Sequence, residues 1–505
     1  MDDSPGNVTN EAHPAPSGHS RNFPAERLLV YAVALLISAG LIVYAVTRSF
    51  VWDEGFHLIA AQLIVHGKKP YIDFCFPQTP LNAYWNAAWM RVFGQGWRIT
   101  HVAASLLTAG TLVLIAHYLL RRLPTSRWRT ACILVTLVVF GLNTTVVQFG
   151  PIAQAYAMCL FTAFAAFSLA TRSVERESSL LALFAGLFAG TAAASSLLSA
   201  PVACVLLLWI WWQNRNGGAI AKTTAFVLGA AIPFIPVFWL FAQAPHQTFF
   251  NIVQYQALFR RVDWAGATPH DVDVLTSWVD SGATLLLCLL AGAGLVYARK
   301  SERKSPLGRE LYLCGWISLA LIAYLSTAHP TFGRYYIVVI PFLSVLAAPG
   351  LYFAGSRLFS EEKPLWPASA VALLAVLSIF RALFNDRDSA NWQRYEEVAR
   401  KVASVTPASA RLFADEQVYF LLKRTPPPGM EFSYSHKLQL PPREEAALHI
   451  ISEKELETQV KAGVFPTLET CNDDRIDDWE LPKLYKQRSD IEDCSVFWDY
   501  RGGTK

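Results

Sequence analysis

Apolar runs of roughly 20 residues recur along this chain as far as residue ~385, and they constrain its fold more than any other feature. That length is what a helix needs to cross ~30 Å of hydrocarbon, and a backbone inside hydrocarbon must satisfy its own hydrogen bonds. Candidate spans fall near 28–47, 99–120, 130–147, 150–171, 179–197, 199–213, 223–244, 276–298, 310–328, 334–354 and 365–384, about eleven in all. The two around Ser199 and Pro201 can instead be one broken helix. A chain that is 53% hydrophobic and only 16% charged, with mean hydropathy +0.29, is not composed like a soluble domain. The net charge of +4 says little about partners, because membrane proteins sort charge by side. Residues 1–26 are polar and rich in Pro, Ser and Gly, which predicts a disordered cytoplasmic tail. No basic start followed by a short apolar core precedes 28–47, so that run is expected to be a retained span.

Short basic segments set the expected sidedness. Arg121, Arg122, Arg127 and Arg129, then Arg172 and Arg176, then Arg215 and Lys222, then Arg299, Lys300, Arg303, Lys304 and Arg309 all fall on one side if the amino terminus is cytoplasmic. The loops 50–94, 245–275 and 329–334 and everything after ~385 then face outward. The expected domains are the tail to 26, a membrane domain over 27–385 with its first outer loop at 49–97, and an outward soluble domain over 386–505. That last region changes to a charged, mixed composition, with β-like runs at Arg411–Ala414, Ala447–Ser452 and Ser495–Trp498 and helical stretches at Trp392–Ala403 and Glu453–Ala462. The fold class expected is an all-α polytopic membrane bundle with interfacial helices in its first outer loop and a small C-terminal extracytoplasmic α/β domain. Cys471 and Cys494 lie in the outward part, where an oxidising compartment permits their pairing. Five of the eight cysteines fall in spans and act as small apolar residues.

The loop Phe50–Gly94 is more elaborate than a connection requires. Phe56, Ile59 and Leu63 recur at helical spacing opposite His57, Gln62 and His66. Leu81, Trp85, Trp89, Val92 and Phe93 do the same opposite Asn82, Asn86 and Arg91. Such helices lie in the membrane interface, and here they would form a floor open to water above and lipid beside. Phe250, Val253, Ala257 and Phe259 mark a partial stripe of the same kind. The loop opens on Asp53-Glu54. An acidic pair there reads as an N-cap for the next helix, or as a carboxylate fixed at the membrane surface to accept a proton from an acceptor hydroxyl. The two readings are compatible. His57 is one turn on from Asp53, able to hydrogen-bond it or to share a metal, whereas His66 falls on the opposite face. Asp73 is a second acidic candidate. Lys68-Lys69, Arg260-Arg261 and Arg334 run against the positive-inside bias. They are either snorkelling cations or ligands for an anion such as a lipid phosphate or pyrophosphate. Tyr335 and Tyr336 beside Arg334 also suit an aromatic belt.

Other classes fit less well. The spans lack mid-membrane charge and internal repeats, which argues against an ion-coupled transporter. There is no Gly-rich phosphate loop at a strand–helix junction to bind a nucleotide, and no nucleic-acid partner is expected.

The W-D-E-G opening at Trp52–Gly55, the run H-G-K-K-P-Y-I-D-F to P-Q-T-P-L, the R-Y-Y-x-x-x-x-P-F segment from Arg334 and the outward C-terminal domain resemble the C-type-fold integral membrane glycosyltransferases. Among these the chain is most similar to the protein-mannosyltransferase and aminoarabinose-transferase-like superfamily. The resemblance implies a polyprenyl-phosphate sugar as donor and transfer outside the cytoplasm to a glycan, lipid or protein hydroxyl. The expected location is a bacterial inner (plasma) membrane. Carried onto this sequence, the resemblance makes Asp53 the general base with Glu54 as its helper. It also makes His57, Lys68, Lys69, Tyr71, Asp73, Arg260, Arg261, Arg334 and Tyr335 the substrate-binding candidates. Relatives carrying an additional acid in the second outer loop differ from this chain, whose N-T-T-V-V-Q-F-G around Asn143 and Gln148 has none. No cofactor is implied for certain, and a divalent cation stays open. The competing reading is a lipid-linked-sugar flippase using the same cations without catalysis. A third is a scaffold whose outward domain binds envelope proteins.

Overall fold

The computed structural model describes residues 23–50, 53–262, 264–279, 281–300, 305–359, 362–386 and 392–502. The tail to residue 22, Trp52, Arg303 and Lys304 lie outside the described residues. Helices occupy all eleven apolar runs. Among the described residues, seven are long and apolar enough to cross a membrane: Pro24–Thr47, Trp97–Arg122, Tyr156–Glu175, Ala219–Gln243, Gly282–Lys300, Gly333–Leu358 and Leu365–Asn385. The protein is a multi-pass membrane protein.

Two helix ends explain departures from the expected spans. The run 130–147 stops at Gly141, because the Asn143 side chain accepts from the amides of Thr145 and Val146 (3.0 and 3.4 Å) and starts the short helix Thr144–Phe149. Around Pro201 the chain forms two helices, Ser179–Ser195 and Ala200–Gln213, joined by one 3₁₀ turn at Leu197–Ser199. Without a hydrophobic force between helices in lipid, close packing relies on small residues. Gly186 and Gly190 lie against the Phe226 and Ala230 carbonyls with no room for a Cβ.

The basic loops gather at one end of the bundle. There Arg122 pairs with Glu310 (2.5 Å) and Glu175 (2.9 Å), and Tyr118 donates to Glu310 (2.8 Å). The first long loop and the C-terminal region meet at the other end. The loop holds two helices, α1 (Glu54–Val65) and α2 (Leu81–Phe93). Neither forms the open floor expected. All of α1 from Glu54 to Leu63 is buried, including His57 and Gln62, because the C-terminal domain covers it: its Gly55 abuts Glu416 and Gln417. Helix α2 turns Asn82 and Asn86 of its polar face inward, where both donate to the Ala153 carbonyl (2.9 and 2.6 Å), and leaves Arg91, Val92 and Phe93 exposed. Much of the face that the sequence pattern assigns to water (His57, Gln62, Asn82 and Asn86) is therefore spent inside the protein. The Phe250–Phe259 segment is a π-helix, in which the Arg260 amide reaches five residues back to Tyr255. That spacing buries Phe250, Asn251 and Tyr255 and leaves Val253 of the expected stripe exposed.

The C-terminal region is built on a four-stranded sheet in the order β1-β2-β4-β3, from strands β1 (Leu412–Phe413), β2 (Thr467–Thr470), β3 (Tyr485–Ile491) and β4 (Cys494–Tyr500). Strand β1 runs parallel to β2, and the other pairs are antiparallel. The runs at 411–414 and 495–498 hold strands, as expected, but Ala447–Ser452 does not. It holds the end of the helix Pro442–Leu448 and then His449 in the left-handed region (φ 54°). Strands β2 and β3 are additions to the expected pattern. Cys471 and Cys494 form a disulfide.

Candidate active site

Asp53 occupies the N-cap position of α1, yet its side chain caps no backbone amide. It turns instead to Arg334, with which it forms an ion pair, and accepts from the Tyr434 hydroxyl (2.7 Å). The side-chain capping expected of Asp53 is thus not met in this geometry. Glu54, the next residue, starts helix α1 and therefore points elsewhere. Its carboxylate is fully buried, accepts from the Ala153 amide (2.8 Å) and meets His101 Nε2 (2.5 Å). It does not line the cavity that Asp53 faces.

That cavity has a volume of about 940 Å³. Its walls are the first loop (Asp53, His57, Gln78, Thr79), the 154–156 segment, the π-helix with the adjoining turn (Tyr255, Arg260, Arg261, Trp264), the 329–335 segment, and Phe432, Tyr434 and Lys437 of the C-terminal region. Asp53 is the sole carboxylate among its described lining residues, against Arg260, Arg261, Arg334 and Lys437. A wall so unbalanced attracts an anion. Arg334 and Arg260 both stand over the Phe332 ring (4.3 and 5.5 Å to the centroid), which brings the two guanidinium groups together; burial and the neighbouring Arg334 lower the pKa of Arg260. Arg260 also bonds the Tyr335 hydroxyl, and its carbonyl accepts from Lys437 (2.5 Å). The 329–334 segment is held from outside: Asp271 pairs with His329 and accepts from the Thr331 amide (2.7 Å).

Of the residues singled out in the sequence, the structure thus brings Asp53, His57, Arg260, Arg261, Arg334 and Tyr335 onto one cavity. Four others lie off it with Glu54. Lys68 is exposed on the turn after α1. Lys69 stands over the Trp239 ring (5.0 Å) and donates to Gln243 (3.2 Å). Asp73 accepts from the Lys69 amide (2.7 Å), closing the same turn. Tyr71, buried and at φ 69°, donates to the Gln78 carbonyl (2.5 Å).

Several wall residues lie outside the sequence-based candidates. Tyr434 and Lys437 come from a region nearly four hundred residues away from Asp53, and nothing local to either marks it. Gln154 and Tyr156 are the part of the second loop that reaches the cavity. Asn143 caps a helix instead, and Gln148 bonds Asp386. Thr79 lies inside the P-Q-T-P run, whose place in the motif is its one available signal.

The donors around Asp53 do not suit a divalent cation, which favours several oxygen ligands. One carboxylate, already paired with an arginine, is a poor nucleus for it. Elsewhere among the described residues, Glu469, Cys471 and Cys494 come together, but both sulfurs are spent in the disulfide.

No protein-family model matches the chain, and no curated protein matches it in sequence. Solved structures do match. ArnT from Cupriavidus metallidurans bound to undecaprenyl phosphate superposes with a TM-score of 0.66 at 14% identity, covering 96% of this chain and 100% of its own. The same protein in the apo state gives 0.65 at 14% identity, over 94% and 98%. The archaeal oligosaccharyltransferase AglB from Archaeoglobus fulgidus, in complex with an inhibitory peptide and a dolichol-phosphate, gives 0.50 at 12% identity, over 91% and 70%. The chain has the fold of the C-type membrane glycosyltransferases.

Proposed function

We propose that this protein is a glycosyltransferase that moves a monosaccharide from a polyprenyl-phosphate donor to a hydroxyl of a glycan, lipid or protein, at the outer face of the membrane. The observation that carries this reading is Asp53, held between Arg334 and Tyr434 as the one carboxylate among the described residues of a strongly cationic cavity wall. ArnT bound to undecaprenyl phosphate and AglB in complex with a dolichol-phosphate support the class of donor. The basic loops gathered at the far end of the bundle support the outward placement of the cavity.

In this mechanism the acceptor hydroxyl gives its proton to Asp53 as its oxygen attacks the anomeric carbon. The bond from that carbon to the phosphate oxygen breaks, and the lipid phosphate leaves with the electron pair. Configuration inverts, since one displacement occurs. Arg260, Arg261 and Arg334 stabilise the charge gathering on the leaving phosphate, which is a good leaving group in its own right. A phosphate that engages Arg334 draws this guanidinium from Asp53 and frees a carboxylate oxygen for the acceptor. The anion that activates the base is then the substrate itself. Tyr434 keeps its grip on the other oxygen throughout.

The test compares wild type with Asp53→Asn, both confirmed folded, in transfer from a panel of polyprenyl-phosphate monosaccharides. Loss of a general base lowers kcat by about a hundredfold or more. Equal activity of Asp53→Asn would remove Asp53 as base. Lipid-linked sugar that crosses the bilayer but is never transferred would establish the flippase.

A further inference from the structure

Three side chains on the cavity wall are more than nine-tenths buried and yet carry a polar atom that bonds nothing: His57 Nδ1, Thr79 Oγ1 and Gln154 Nε2, with relative exposures of 6%, 5% and 4%. A buried polar atom without a partner costs stability comparable to a lost hydrogen bond, and three of them on one wall ask for a common partner. Each is also placed with care. His57 follows Asp53 by one turn of α1, wedged between Phe56 (ring centroids 4.3 Å apart) and Phe76 (5.8 Å). The turn before Thr79 is fixed through three backbone groups: Asn251 accepts from the Phe76 amide (2.8 Å), Gln256 donates to the Pro77 carbonyl (2.6 Å), and Tyr71 to the Gln78 carbonyl (2.5 Å). Gln154 comes directly after Ala153, whose peptide groups are gripped on both sides: its amide by Glu54 and its carbonyl by Asn82 and Asn86.

We infer that His57, Thr79 and Gln154 form the subsite for the donor sugar and that this subsite selects a neutral, hydroxyl-bearing ring. The inference rests on the transferase reading and adds the class of sugar to it. An amide N–H, a hydroxyl and an imidazole nitrogen are what a ring of vicinal hydroxyls pairs with. Burial pushes the His57 pKa down to about 4, so the imidazole is uncharged at neutral pH. A sugar carrying an ammonium would bring another cation to a wall that already holds Arg260, Arg261, Arg334 and Lys437, and a carboxylate set against the three uncharged groups, short of those cations, would lose its hydration without a counterion. Asp53, the one carboxylate among the described wall residues, keeps one oxygen with Tyr434 and turns the other to the acceptor in the proposed mechanism.

The experiment measures kcat/KM of purified protein in lipid nanodiscs with polyprenyl-phosphate donors bearing a neutral hexose, a neutral pentose, an amino sugar or a uronic acid. Donors lacking one hydroxyl each are then tested against Thr79→Val and Gln154→Leu. The expected result is preference for a neutral donor by tenfold or more. Each variant lowers kcat/KM about three- to tenfold, the usual worth of one uncharged hydrogen bond, and no longer distinguishes the parent donor from one particular deoxy donor. A structural role would lower activity without erasing that distinction. Best transfer from an amino sugar or uronic acid overturns the neutral class and leaves the transferase standing. Full activity in both variants, or a penalty that tracks changes in the acceptor, overturns the subsite alone. If no donor in the panel is consumed, the transferase reading falls and the subsite with it.

Discussion

Replacing Tyr434 by Phe removes one oxygen atom and tests whether the C-terminal region takes part in the chemistry. The hydroxyl donates to Asp53 Oδ1 at 2.7 Å, and burial, with Asp53 beside it, drives its pKa well above the ordinary range, so it stays a donor at any working pH. A hydrogen bond to a charged group contributes about 1.5–3 kcal/mol. At about 1.4 kcal/mol per factor of ten, the ceiling is a ten- to hundredfold loss. Water in the cavity can take the vacated place beside Asp53, so the loss should fall near the tenfold end. The ring is retained between Phe56 and Phe432 (6.4 and 5.5 Å), so packing changes little. In steady-state transfer assays with a polyprenyl-phosphate sugar, kcat should drop about tenfold while KM for the donor holds, because Tyr434 steadies the base rather than the lipid. A folded Tyr434→Phe protein with wild-type kcat would refute this role for the hydroxyl, and a raised KM with unchanged kcat would move Tyr434 to substrate binding.

Two further outcomes concern stability. Glu431 is buried, and burial raises its pKa from 4.5 to about 7. The folded protein therefore holds a proton that the unfolded chain has released, so stability falls as pH rises from about 4.5 to 7 and is flat above, by about 3 kcal/mol in total. Glu431→Gln keeps an acceptor for the Gly429 amide, and it should flatten the dependence of the unfolding midpoint on pH in that window; an unchanged slope would reject the assignment. Glu54→Leu leaves His101 and the Ala153 amide without their buried partner, a loss of about 3–5 kcal/mol. Its melting temperature in detergent should fall well below that of Asp53→Asn, and parity between the two would contradict the division of labour proposed for this acidic pair.

That division shows how far a sequence discloses a site. Apolar runs and basic loops are local signals, and the helices track them closely, even to the break at Pro201. Asp53, Arg260 and Arg334 are visible because a motif or a cation out of place marks them. Asp53 and Glu54 cannot be told apart in the sequence, since adjacent residues at a helix start point some 100° apart and only the neighbours decide which faces the cavity. Lys68 and Lys69 have the right charge on the right loop, but the Gly67 turn aims them away. The amphipathic stripes are real, yet periodicity does not say what each face meets, and burial under a second domain makes a polar face an inner one. Tyr434 is beyond reach for a different reason. Its importance lies in a contact across 381 positions, and no pattern within the C-terminal region marks the residue that makes it.

The same contact bears on how proteins of this architecture can diversify. A soluble appendage is ordinarily the part of a membrane enzyme most freely exchanged, since its folding and its partners are its own. Here the short stretch 432–437 inserts a phenyl ring, a phenol and an ammonium into the wall of the membrane cavity. Grafting a foreign domain after the last span would keep every transmembrane helix and still leave the carboxylate half-dressed. The two parts are thereby coupled: a graft without its own version of this stretch leaves Asp53 without the Tyr434 contact.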